Sequence, residues 1–387
     1  MNASLYRQMA VNPVCIALLS TVCLMIAFQQ SSMAQSTISI AARDSSPTSI
    51  ERADLRCAGD NDQDVINQAI KKLPEAGGTV ILIEGSYNIR KTPGTLGGIS
   101  IDRSNVTLTG QGSSSRLRLA SGQNTNVIRI LGPGVGNITI RDLSIDANRA
   151  ENALGTGDPN VSHSRFEYCG IKAFRQDPHG VSAAEDCHNI TIQNCHVHNA
   201  HRLGIMLEGP NMRVLDNYLG DAGSDVVEIL TGPGIIRGNT IDIRGRTHVA
   251  IGTDRANNVV ISQNIVRVHS GGNLDIAYRT WAGSVRHAIT GNVLEVNAGG
   301  NCSMAMDLRG TRTSVTGNVL IGTDETSIKI SGGHTNLTGN VIENMLVIVD
   351  APNDADEPIV FHSNNWVDSS VKVVSGTVIG LDERKGD

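Results

Sequence analysis

"VVISQNIVRV", Val259 to Val268, sets two short aliphatic runs around a single asparagine, Asn264. The phrase returns along the chain: "NCHV" at Asn194, "NYLG" at Asn217, "NTID" at Asn239, "NVLE" at Asn292, "NVLI" at Asn318 and "NVIE" at Asn340. Intervals of roughly 22 to 28 residues are those of a solenoid, in which each repeat is one structural unit stacked on the next. Between anchors lie strand-like runs such as "TSIKISGG", broken by glycine, with no helix-length amphipathic segment.

Repeats made only of strand and turn exclude leucine-rich and ankyrin architectures. They fit an all-β, right-handed parallel β-helix, each coil pairing with the coils above and below. Asparagine suits the anchor position, because it tolerates left-handed turns and its amide can bond the asparagine one coil away. Toward the N-terminus, Asp60 and Gln63 give a capping-box-like start, and Val65, Ile66, Ala69, Ile70 and Leu73 mark one face of a short helix that can cover the first coil. Residues 35–52 read as a Ser/Thr-rich mobile leader, 53–380 as the β-helix and 381–387 as a charged tail.

Residues 1–34 read as a targeting segment, with Arg7 before the apolar run Val14 to Phe28 and Ser32-Met33-Ala34 as a cleavage site. Export follows as the expectation, to the periplasm, the cell surface or the medium, with no membrane span once the segment is removed. The formal net charge of -6 becomes -7 without Arg7, the only charged side chain of that segment, which disfavours nucleic acid as a partner. Forty-one glycines and 3% aromatic residues suit tight turns around an aliphatic core, and supply few stacking platforms for neutral sugars. The exported part holds Cys57, Cys169, Cys187, Cys195 and Cys302, an odd set that leaves at least one thiol free.

Strand alternation selects the outward residues. In "SMAMDLRG", placing Met304, Met306 and Leu308 inward leaves Asp307 and Arg309 outward; the same logic exposes Lys329, and Asp275 with Arg279 in "LDIAYR". Lys172, Glu208 and Glu228 are the equivalents in earlier coils. Stacking brings these charges into a ladder of mixed sign, a groove suited to a charged polymer, although opposite charges on stacked strands also stabilise a purely structural surface.

"GDNDQDVINQAI", "GGTVILIEGSYNI" and "NVTLTGQG", followed by the asparagine ladder, resemble right-handed β-helix proteins of the pectate-lyase-like superfamily. Within "AFRQDPHGVSAAEDCH" (Ala173 to His188), Asp177-Pro178-His179 resembles the Asp-Pro-His motif of mannuronan C5-epimerases. That resemblance implies an acid-base role for His179, a place beside the substrate carboxylate for Asp177, and a carboxylate one coil later at Glu208. The chain departs from the motif at Phe174, where the family carries tyrosine, and at Ser224-Asp225, where its second histidine would fall. Lys172 or Arg175 supplies a cation to neutralise a uronate carboxylate.

The expected function is therefore binding of an acidic polysaccharide across residues 170 to 310, with polyuronate lyase or C5-epimerase chemistry. A non-catalytic surface module is the alternative. The cluster of Cys195, His196 and His198 supports a third reading, a metal-binding exported protein. Aligning "NCHVH" with "NTIDI" places its histidines partly inside the solenoid. No cofactor is required by the sequence, and a divalent cation such as calcium is compatible with it.

Overall fold

Each return of the asparagine phrase folds as one coil of a parallel solenoid. The computed structural model describes residues 36–93, 95, 97–123, 125–132, 134–152, 170–173, 187–352 and 356–381. The expected targeting segment therefore lies outside the described residues. Within them, strands form two parallel sheets of 23 and 11 strands. The 11-stranded sheet runs from Gly97–Ile101 to Ser370–Ser375, one strand per coil, and each pairs with the coil before and after it. No described helix is long and apolar enough to cross a membrane.

Aliphatic residues fill the interior as continuous stacks, Ile192, Val214, Ile236, Ile261 and Ile289 on one face and Ile205, Val227, Ile251 and Tyr278 on another. The asparagines turn the chain between strands of the larger sheet. Asn217, Asn239, Asn264, Asn292, Asn318 and Asn340 are buried. In each, the backbone N–H and the side-chain amide donate to Oδ1 of the next coil's asparagine at 2.9–3.0 Å, ending on Asn364. The same amide also donates back to a carbonyl of the preceding coil, as Asn264 does to Ile236 at 2.9 Å. Every polar atom is thereby spent inside the ladder.

The first anchor is displaced by one residue. Asn194 is exposed with φ of 51°, and Cys195 occupies the ladder position, its N–H donating to Asn217 Oδ1 at 2.9 Å. Its thiol lies 3.8 Å from the Ile140 carbonyl, in the place the amides use to reach back one coil. A one-residue slip reverses the faces of all that follows, so His196 and His198 point outward rather than toward the interior.

The N-terminal end is closed by the α-helix Asp62–Lys72, as its apolar face requires. Asp62, not Asp60, is the buried acid at its start. Its carboxylate accepts from Gly59 and Asn88 backbone N–H groups, while Gln63 and Asn67 accept from Arg90 and Ser100. The helix thus satisfies strand donors of the first coil as well as covering it. Residues expected in a mobile leader are ordered: Ser36–Ala41 is a strand paired with Leu55–Arg56, because Ile40 and Ala41 have core to occupy.

Candidate functional site

The backbone register of the 11-stranded sheet brings Lys172, Met206, Glu228, Gly252, Arg279, Asp307 and Lys329 into one row, one residue per coil. Glu208 falls in the adjoining row with Leu230 and Asp254. Of the residues expected in the charged ladder, Lys172, Glu228, Arg279, Asp307 and Lys329 share this row, with Met206 and Gly252 between them, while Glu208, Asp275 and Arg309 fall outside it.

That glycine shapes the site. A Cβ at Gly252 would lie 2.5 Å from Asp225 Oδ2 and 3.2 Å from Arg279 Nη2. Without it, the Arg279 side chain passes over the intervening strand and reaches two coils back. Its Nη2 donates to Asp225 Oδ2 at 2.6 Å and to Glu228 Oε1 at 3.3 Å. Asp225 is 2% exposed and Arg279 7%. Burial pushes the Asp225 carboxyl upward, while the Arg279 charge and the Ser224 hydroxyl at 2.9 Å pull it down.

Next to this buried pair, Trp281 is 37% exposed. The guanidinium of Arg309 lies 4.3 Å from its ring centroid and that of Arg279 5.1 Å, distances at which the cations are attracted to the ring face. Arg309 is held in turn by fully buried Asp307, to which Nε and Nη2 donate at 2.9 and 2.8 Å. Trp281, Arg279, Asp225 and Glu228 border a cleft of about 250 Å3. Leu203, Met206 and Leu230 give it an apolar patch, and Arg202, Asp225, Glu228, His248 and Asp254 line its polar part.

His248 adds an oriented imidazole. Its Nδ1 is 2.8 Å from Asp275 Oδ2, the oxygen that also accepts from Arg246 Nη2 at 2.7 Å. A carboxylate fixing one ring nitrogen leaves the other to exchange protons.

Strict alternation explains only part of this. Asp275 and Arg279 both face outward, yet they serve different partners because the strand kinks between them, with Ala277 and Tyr278 both in the core. The next strand repeats the kink at Ala305 and Met306, so Met304, expected inside, is not in the core. Arg175, Asp177 and His179 lie outside the described residues, and Lys172 is placed by its backbone register alone. Asp225, His248, Gly252, Asp254 and Trp281 were not singled out as site residues from the sequence. The available signal was position: Trp281 is one of two tryptophans and follows directly on the strand Asn273–Thr280.

The metal reading fails for the trio proposed. The Cys195 thiol is buried in the core cluster, while His196 and His198 sit on the outer surface. No group of three or more His, Cys, Asp or Glu among the described residues is arranged to hold a metal ion.

With the sheet and cleft in place, comparison with solved structures is informative about the scaffold. The chain aligns with the A-module of mannuronan C-5 epimerase AlgE6 of Azotobacter vinelandii at 17% identity and TM-score 0.50, covering 82% of this chain and 94% of that one. It shares its fold with known right-handed β-helix proteins. DFA-IIIase of Arthrobacter chlorophenolicus A6, solved in complex with DFA-III, aligns at 14% identity and TM-score 0.52, covering 88% and 86%. PfbA, a surface adhesin of Streptococcus pneumoniae, aligns at 14% and 0.51, covering 83% and 87%. No family model matches the sequence, and no curated protein matches it significantly. At these identities the likeness is one of fold, and function rests on the site.

Proposed function

We propose that the cleft binds an acidic polysaccharide and removes the proton beside a uronate carboxylate, the step shared by a polyuronate lyase and a C5-epimerase. The observation that carries this reading is the partly exposed Trp281 at the edge of the cleft, with the Arg279 and Arg309 guanidinium groups against its ring and the buried Asp225–Arg279–Glu228 cluster beside it. A pyranose ring stacks its C–H face on the indole, and Arg202 or Arg309 pairs with its carboxylate.

In this reading His248, oriented by Asp275, takes the C5 proton. For elimination, the electron pair left at C5 forms the C4–C5 double bond as the C4–O bond breaks. The departing oxygen takes a proton back from the His248 imidazolium, because Asp225 is held as a carboxylate by Arg279. For epimerisation a second group on the opposite face of the ring gives its proton to C5, and no bond to oxygen breaks. Asp177 and His179 follow four and six residues after Ala173, the end of a strand of this sheet, and remain proposed acid-base groups. Arg279 already pairs with Asp225 and Glu228, so a divalent cation such as calcium, if used, would be held by other groups. Export, expected from the first 34 residues, belongs to the same proposal.

Proton NMR of alginate and pectate incubated with the protein in deuterium oxide tests the chemistry, beside His248→Ala and His179→Ala variants. Olefinic signals mean elimination, and deuterium at C5 without them means epimerisation. Loss of turnover in His248→Ala supports the assignment of the base; unchanged turnover there with loss in His179→Ala moves the base to the Asp-Pro-His segment. Binding without any turnover favours the second reading, a surface module that only holds the polymer. What supports that reading is the closed pairing of Arg279 with two carboxylates and the fold shared with a surface adhesin.

A further inference from the structure

A second cluster lies on the larger sheet, outside the cleft lining. In consecutive coils His196 and Tyr218 are register partners, with ring centroids 5.0 Å apart, and His198 lies 4.4 Å from His196. Tyr218 is 42% exposed, unusual for an aromatic residue in a chain with so few. Its ring is pinned, because the hydroxyl donates to Asp242 Oδ2. Asp242 is itself held: His269 Nε2 lies 3.1 Å and Arg267 Nη1 4.0 Å from its other oxygen, and Arg244 Nη2 lies 3.4 Å from Oδ2. These contacts draw Asp242 below the usual carboxylate range despite its burial. Arg244 remains largely exposed at the rim, its backbone N–H anchored on Asp221 at 2.8 Å.

A rigid, half-exposed ring beside an outward guanidinium is a platform for one sugar: the ring takes a C–H face and the guanidinium takes hydroxyls or a carboxylate. Because Asp242 fixes the tyrosine before anything binds, little ordering is left for the ligand to impose. We infer that Tyr218, Arg244 and the flanking His196 form a second saccharide-binding site for the acidic polysaccharide, apart from the cleft and without chemistry of its own. This rests on the reading of the cleft only for the identity of the polymer.

Affinity electrophoresis in gels containing alginate or pectate tests it, with Tyr218→Ala, Tyr218→Phe and Trp281→Ala run beside the parent and each variant's fold checked by circular dichroism. The expected result is a polymer affinity about tenfold weaker for Tyr218→Ala, with Tyr218→Phe weakened less because the ring survives. Parent-like retardation of a folded Tyr218→Ala, while Trp281→Ala is released, overturns the second site and leaves the cleft standing. Release of Tyr218→Ala with parent-like Trp281→Ala keeps the second site and overturns the cleft. No retardation of the parent by either polymer overturns both.

Discussion

The buried asparagine ladder and the charged row on the 11-stranded sheet are built by the same operation, one residue per coil stacked on the last. They differ in what repeats. The ladder uses the same amide from Asn217 to Asn364, and each member answers its neighbour's hydrogen bonds. The row runs Glu228, Gly252, Arg279, Asp307, Lys329, and its gap at Gly252 sends Arg279 two coils back to Asp225. Uniform repetition satisfies the structure locally. Interrupted repetition concentrates charge at one place, and that place is where the cleft opens.

The largest effect should come from the interruption. Arg279→Leu strands Asp225 as a buried carboxylate without its cation, which costs about 3–5 kcal/mol when one partner of a buried pair is lost. Urea denaturation should show that loss, and Arg279→Leu with Asp225→Leu should recover most of it. If the single variant is as stable as the parent, the pair is no more than a surface contact.

Within the ladder, Asn264→Ala leaves the backbone N–H of Asn239 and the carbonyl of Ile236 without their partners. About 2–4 kcal/mol is the expected loss, and the same denaturation reads it. An effect near zero would mean the amides decorate the turn rather than hold it.

A third contrast concerns an interior position that belongs to neither ladder. His287 is 2% exposed, and burial pushes its pKa down to about 4. The unfolded chain binds this proton near pH 6.5 and the folded chain resists it to about 4, so stability is full above 6.5 and falls as pH drops toward 4. By pH 5 the loss is about 2 kcal/mol. His287→Val should flatten that slope in melts run from pH 7 to 5.

Smallest is Cys195→Asn, which extends the ladder by one coil. The amide would replace a thiol that already meets the Ile140 carbonyl and a position whose N–H already bonds Asn217. Thermal melts should place it within about 1 kcal/mol of the parent, while a larger loss would show that the end of the ladder needs the smaller side chain.

The difference between the two ladders also explains what could be read in the sequence. Identical residues at near-constant intervals announce themselves, so the solenoid, its turns and the helix at its N-terminal end were legible. Asn194 misled because an asparagine also serves as the left-handed residue just before the ladder position, one place away from it. The charged row was legible residue by residue, including Glu228, Arg279 and Asp307. Its assembly was not, because kinks at Ala277-Tyr278 and Ala305-Met306 break the two-residue period, and because a glycine carries no side chain to mark the space it leaves for Arg279. Trp281 and His248 belong to positions at the end of one strand and near the start of another, where alternation says least.

Tryptophan fluorescence reads the cleft most directly, since Trp281 borders it and Trp366, the other tryptophan, lies near the last coils beside Phe361. Titrating a Trp366→Phe variant with oligomers of mannuronate, guluronate or galacturonate should change the emission of Trp281 saturably, and a Trp281→Phe variant should give no response. A saturable response carried by Trp366 alone, or none with any of these acidic oligosaccharides, would contradict the assignment of the interrupted row as the binding site.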